Sequence, residues 1–486
     1  MNAHNHSMAL NRLLKSAIAL TVLTYSTTSF CSDQSVDELS LDDVLQGFEA
    51  EETRVETAID DVEDDLMSGF DDPEGDSLVT AELLPIRPQP SFLRGYWLNS
   101  LSWNTAHHQP TSGQTDFRGL SKLSTKLWLE VEGELLPGWK THGDGYLRQD
   151  FSYALNGRSQ YTSTLLERYE KEAEWGELWL AGSLSPSLDL KLGRQTVVWG
   201  QSDYLRVNDT INPMDLREPG LGELETLRRP VGMVRADYFT EEWTVTALAI
   251  AENRPHLAPV CGSDFLPTSC STATFIDQFP ANGWRQMEWG LSLMGRFSGW
   301  DLSLYGARAN HDVSYQSGQT LRYARVGQIG AAINIAEGSW LWKGETALFS
   351  GLRYTGTSRD YRRFDLLLGG EYRGINDVTL SVEVVRRGID SYDTPLALST
   401  DNIEQISTES ALAYQHDLLN NTFHLKGVLT RKGLNLNSGG ATRLSIDYDL
   451  DDHWSVSGGV IDYQNSQYPP YWGDNDRLYL ELRNDF

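Results

Sequence analysis

Nowhere does this chain hold the ~20 consecutive apolar residues that a membrane-crossing helix requires. The apolar run near its start, "AIALTVLT" at 17–24, is far shorter. Cysteine is nearly absent, with only Cys31, Cys261 and Cys270. Basic residues are scarce beside acidic ones, 40 Lys and Arg against 68 Asp and Glu, which disfavours nucleic acid as a partner. There is no phosphate-cradling glycine loop, no CxxC pair and no Gly-x-Ser-x-Gly elbow. The expectation is therefore a protein that is not an enzyme, with no catalytic residue, no metal ligand and no cofactor. His107 and His108 are adjacent, so on a strand they would point to opposite faces, and they read as surface-loop residues rather than a metal pair. "DYDLDDHW" (447–454) is acidic like a calcium loop but lacks its glycine and terminal glutamate, and it reads as a turn.

What is present begins with a compartment signal. Arg12 and Lys15 precede the short apolar run, which gives way to "YSTTSFCS", the pattern of a secretory signal peptide over 1–31. In an oxidising compartment Cys261 and Cys270, close together in "VCGSDFLPTSC", are expected to form a disulfide. From Ser32 to Ser77 eighteen acidic residues face the single Arg54, about −17 of the net −28. Leu41, Val44, Leu45 and Phe48, then Val55, Ile59, Val62 and Leu66, recur at helical spacing within this stretch. Residues 32–91 thus read as an acidic periplasmic leader, either a solvated tail or short amphipathic helices that dock on a partner or enter a lumen.

From about residue 92 the period becomes two. "MEWGLSLMGRF" places Trp289, Leu291 and Leu293 opposite Glu288 and Ser292, and "RFDLLLGGEYR" places Phe364, Leu366 and Leu368 opposite Asp365. Connections alternate between short turns and long loops, among them 200–228, 254–285 and 310–320. Eighteen strands result, with sixteen the alternative count. Trp139, Trp243, Trp300, Trp340 and Trp454 each follow a short turn directly, as an aromatic girdle at one membrane interface would. The chain ends "DRLYLELRNDF", whose Leu478, Leu480, Leu482 and Phe486 share one face, resembling the assembly signal of outer-membrane barrels, although Asn484 stands where an apolar residue is usual. The expected fold is all-β, a transmembrane antiparallel barrel over 92–486 in the outer membrane of a Gram-negative bacterium. Outer-membrane lipid and the barrel-assembly machinery are the expected partners.

The segment "WGQSDYLRVNDTINPMDLREPGLGELETLRRP" (199–230) interrupts this regularity. It reads as an outer-side connection between the fifth and sixth strands or as a loop folded back into the lumen. Asn212 reads as an N-cap with Pro213 at the first helical position, Gly220 as a stop, and "GELETLRR" as a second turn. Asp203, Arg206, Asp209, Asp215, Arg217, Arg228 and Arg229 are the candidate residues of a channel constriction. Arginine forks suit fixed pairs with carboxylates, whether of the loop itself or of a solute.

"LKLGRQTVVWGQSDYLRVNDTINPMDLREPG", with "ALAIAENRPHLAPVCGSDF" and "FSGWDLSLYGARANHD", resembles an uncharacterised family of proteobacterial outer-membrane proteins, and more distantly alginate-export barrels. The resemblance implies a barrel and a channel. It also implies a trans-envelope association with inner-membrane transporters of the resistance-nodulation-division type, for which the acidic leader would be a contact. It transfers no catalytic residue. Three functions follow: a porin-like conduit for an unidentified solute, an accessory to such a transporter handling lipid or hydrophobic cargo, and, third, a barrel lipid hydrolase.

Overall fold

The computed structural model describes residues 92–486 apart from 111–113, 221–223, 268–274, 437 and 466–471. The expected signal peptide, the acidic leader and Cys270 lie outside the described residues.

Nineteen strands follow in chain order: β1 (Phe92–Asn104), β2 (Gly119–Leu136), β3 (Trp139–Asp150), β4 (Lys171–Ser185), β5 (Leu188–Gln195), β6 (Val231–Phe239), β7 (Trp243–Ile250), β8 (Ile276–Asp277), β9 (Glu288–Phe297) and β10 (Trp300–Ser317). The rest are β11 (Thr320–Glu337), β12 (Trp340–Leu352), β13 (Tyr361–Ile375), β14 (Val378–Asp390), β15 (Ile406–Leu418), β16 (Phe423–Lys432), β17 (Gly440–Asp449), β18 (Trp454–Gln464) and β19 (Arg477–Asp485). All but β8 pair antiparallel with their chain neighbours, and β19 pairs with β1 from Tyr96↔Asp485 to Asn104↔Arg477. Eighteen strands therefore close into a barrel without an edge, as the period-two pattern predicts. The two-residue β8 lies in the β7–β9 connection and pairs in parallel with the start of β11.

Alternation decides which side chains meet lipid. On β13 Phe364, Leu366 and Leu368 stand on the outer face, exposed, whereas Asp365 and Leu367, at 0% exposure, point inward. Trp139, Trp243, Trp300, Trp340 and Trp454 are each the first residue of a strand that leaves a short turn. Trp243 packs edge-on against Phe297, which stacks on Trp300 at 4.2 Å, and Trp340 stacks on Trp342 at 4.9 Å. Leu478, Leu480, Leu482 and Phe486 are exposed along the outside of the closing strand, and Phe486 exchanges backbone hydrogen bonds with Gly95.

One connection differs from expectation. Residues 310–317 are not loop but the end of β10, which pairs with β11 up to Ser317↔Thr320. Two eighteen-residue strands, longer than a bilayer needs, carry this hairpin beyond the membrane, and Gly318 at φ +66° closes it. Polar residues on both faces of "ANHDVSYQSGQ" concealed the strand. A register shift between Asn310 and Ser314 absorbs the irregularity.

Candidate functional site

The described residues of the connection between β5 and β6, 196–220 and 224–230, are folded into the barrel. Their apolar side chains pack against the inward face of the wall in three places. Tyr204, Leu205 and Val207 join Ala347, Phe349, Leu367 and Val385 of β12–β14. Val197, Trp199 and Ile211 join Met233, Leu248 and Tyr305. Met214 and Leu216 join Phe265, Ile461 and Trp472. An extracellular loop in water would leave these side chains exposed; here burial of apolar surface contributes to holding the segment across the lumen.

Two wall carboxylates fix its backbone. Glu345 on β12 accepts the N–H groups of Gln201 (2.5 Å), Ser202 (2.7 Å) and Asn208 (3.3 Å), and also the Asn208 side-chain amide (2.9 Å). Glu383 on β14 accepts those of Asp203 (2.8 Å), Tyr204 (3.1 Å) and Leu205 (3.0 Å). The loop N–H groups would otherwise be buried without partners, a cost these carboxylates remove. Gly330 on β11 makes room, because any Cβ there would collide with Asn208.

The expected helix cap at Asn212 is not formed. Asn212 instead ties the two ends of the loop together: its Oδ1 accepts the Val197 N–H (2.7 Å) and its amide donates to the carbonyls of Gln195 (3.3 Å) and Arg229 (3.0 Å). Met214 and Asp215 form isolated bridges to Arg228 and Leu257, so the "NPMDLRE" stretch is extended rather than helical. Local capping propensity loses here to nonlocal backbone pairing. Gly220 does adopt a turn conformation at φ +74°, and Leu224–Leu227 is a single helical turn.

The seven proposed constriction residues are engaged with the protein. Asp209 meets Arg228 at 2.9 Å and Arg206 at 3.5 Å. Arg217 pairs with Asp215 (2.5 Å) and with Glu172 of β4 (2.6 Å). Arg229 pairs with Glu174, which also binds Arg254. Asp203 binds Lys343, itself 3.6 Å from Glu371. Glu218, which the sequence did not single out, binds Lys122 of β2 and lies 3.9 Å from Arg148 of β3. Burial works against its ionisation, but Lys122, Arg148 and Arg217 outweigh that and hold its carboxyl down to about 2. Burial likewise opposes the charge on Asp215, and Arg217 keeps its carboxyl below the usual carboxylate range.

Two cavities flank the loop. One lies between the loop and the β1–β4 and β19 walls, with Lys122, Lys126, Arg148, Glu172, Glu218 and Glu481 on its lining. The other is lined by Arg206, Asp209, Gln328, Arg363 and Arg387 among others. A second connection, between β7 and β9, also reaches inward: His256 accepts the Met214 N–H at 2.9 Å, and Asp264 meets Arg477 of β19 at 3.0 Å. Cys261 lies in this connection. His107 contacts the buried Asn475 and packs against Phe117, and His108 contacts the carbonyl of Ala106.

Sequence reading missed Glu345, Glu383 and Gly330 as loop anchors. The inward position of the two glutamates is legible from the alternation, but their partners are over a hundred residues away. The five tryptophans and the C-terminal Leu478, Leu480, Leu482 and Phe486 are not brought into this site.

No curated protein matches the chain in sequence. Among solved structures it is similar to a BenF-like porin from Pseudomonas fluorescens Pf-5, with 12% identity over 82% of this chain and 98% of that one and a TM-score of 0.50. It is also similar to Acinetobacter baumannii OccAB3, with 10% identity over 82% and 99% and a TM-score of 0.50. These likenesses show the fold, and the apolar outer wall is that of a barrel that spans a membrane. Residues 112–486 match the family described as "Protein of unknown function (DUF1302)", and the chain belongs to that family.

Proposed function

We propose that the protein is a porin-like conduit, not an enzyme, whose bore is narrowed by residues 196–230 so that a small polar solute passes beside the loop. The observation that carries this reading is the pinning of six loop N–H groups by Glu345 and Glu383, which holds a long segment inside a barrel wide enough to leave an aqueous lumen. Burial of a loop at this cost in ordering supports a filter rather than an outer-surface feature. Arg206, Arg217, Arg228 and Arg229, with Asp203, Asp209 and Asp215, set its shape and present both signs of charge to whatever passes. The cavity along β1–β4 and β19 is the roomier of the two flanks.

The test is planar-bilayer conductance. Replacing 206–226 with a short Gly-Ser bridge raises conductance and reduces discrimination between anions and cations, while deleting 32–77 leaves conductance nearly unchanged. The opposite pattern would assign the filter to the acidic leader.

A further inference from the structure

We propose that the lumen holds a divalent-cation site of the zinc type, built from Glu130 and Glu132 on β2 and His142 on β3. It lies near the short β2–β3 turn, apart from the loop, and does not depend on what the channel carries.

Strand geometry brings the three together. Glu130 and Glu132 are two apart and share one face, and the antiparallel register sets His142 directly opposite Glu132. One oxygen from each carboxylate and one imidazole nitrogen lie within 4.8 Å of one another. The nitrogen is Nδ1, 3.5 Å from Glu130 Oε1 and 3.2 Å from Glu132 Oε1. Of these two separations the shorter lies at the long end of the hydrogen-bond range and the longer beyond it. They match the ~3.4 Å edge of a tetrahedron of N and O ligands about 2.1 Å from a zinc ion.

The far side of the ring is organised as a metal-bound histidine's is. Its Nε2 lies 3.2 Å from Asp144 Oδ2. Asp144 already accepts the Glu177 N–H (2.7 Å) and the Trp128 indole N–H (3.2 Å), so it acts as an acceptor and the ring proton belongs on Nε2. In the neutral ring the Nδ1 lone pair then faces two carboxylates, an arrangement a cation between them would relieve. Trp179 stacks on the ring at 5.1 Å and 4° and fixes its plane. Three carboxylates against the single Arg94 leave a formal charge of −2 around a neutral imidazole, which a divalent ion cancels. Arg94 contacts Glu130 (2.6 Å) and Glu132 (3.2 Å) from an exposed position and is the group an arriving ion would displace. Glu132, whose side chain is 45% exposed, gives the entry path. A mixed donor set of one imidazole and two carboxylates suits Zn²⁺ better than an all-oxygen ion such as Ca²⁺ or Mg²⁺.

The experiment is titration calorimetry of the tag-free, refolded full chain with ZnCl₂ at pH 7.5, with MgCl₂ as the comparison and heat-modifiable gel mobility as the check on folding. One zinc per chain is expected, with Mg²⁺ failing to compete. His142→Gln and Glu132→Gln should each weaken binding at least tenfold. Asp144→Asn should weaken it roughly ten- to hundredfold through the ring it orients, and Arg94→Gln should tighten it. Because Glu132 is half in water, its variant keeps the test open if His142→Gln fails to fold. Zinc binding unchanged by both His142→Gln and Glu132→Gln, or no saturable binding below millimolar zinc, would overturn the proposal in favour of a plain imidazolium–carboxylate cluster.

Discussion

Asn208 occupies the space that a side chain at position 330 would need: its Oδ1 lies 1.7 Å from where a Cβ on Gly330 would stand. The Asn208 amide donates to Ala331 O (3.2 Å) and Glu345 (2.9 Å), so the lumen loop rests on the β11 backbone itself. Gly330→Leu is predicted to leave the barrel folded and to lift the loop, raising single-channel conductance several-fold. Conductance equal to that of the parent would show that the loop does not narrow the passage.

Outer and inner faces of β13 should respond differently. Leu366→Arg places a charge against lipid and should cost roughly 2 to 4 kcal/mol in urea-induced unfolding from bilayers if it sits at mid-depth, whereas Leu366→Val should be nearly neutral. Alternation alone would rank Asp365→Arg as tolerated because it faces the lumen. The structure reverses that ranking: Asp365 is fully buried, 3.0 Å from Arg363 and 3.5 Å from Arg387, and an arginine there would replace a carboxylate of this cluster with a third guanidinium beside the buried Glu409, which already pairs with Arg387 at 2.7 Å. Asp365→Arg is therefore predicted to impair folding as well, and Asp365→Asn to do so less.

Acid should release one flank of the loop only at low pH. Glu218 titrates at about 2 in the folded protein, below its ordinary value of 4.5. Its contribution to docking is present above about 4.5 and is lost as pH falls towards 2. Pepsin cleavage within 213–220 should stay slow at pH 4 and accelerate near pH 2. Glu218→Gln should allow cleavage already at pH 4. Equal cleavage of both proteins at that pH would exclude Glu218 as the anchor.

The disulfide expected between Cys261 and Cys270 carries its own check. Protein isolated without reductant should take up no alkylating reagent at either position until it is reduced, and reduction should loosen the β7–β9 connection without unfolding the barrel. Alkylation of both thiols in unreduced protein would refute the pair.

The sequence by itself determined the wall. Hydrophobic alternation is a local property, repeated residue by residue, and with short turns followed by Trp139, Trp243, Trp300, Trp340 and Trp454 it was enough to give eighteen strands, their faces and the closing of β19 on β1. It also marked 199–230 as unusual, because no strand pattern accounts for those residues. Tertiary structure alone decided that this segment enters the lumen and what it holds there. Asn212 reads locally as a helix cap yet serves as a clasp between Val197, Gln195 and Arg229, and the partners of Gln201 through Leu205 are carboxylates on β12 and β14. Such contacts join residues far apart in the chain, and their energy depends on a closed barrel bringing opposite walls within reach of one loop. The same holds for His142, whose neighbours Glu130 and Glu132 acquire meaning only once β2 and β3 pair in register.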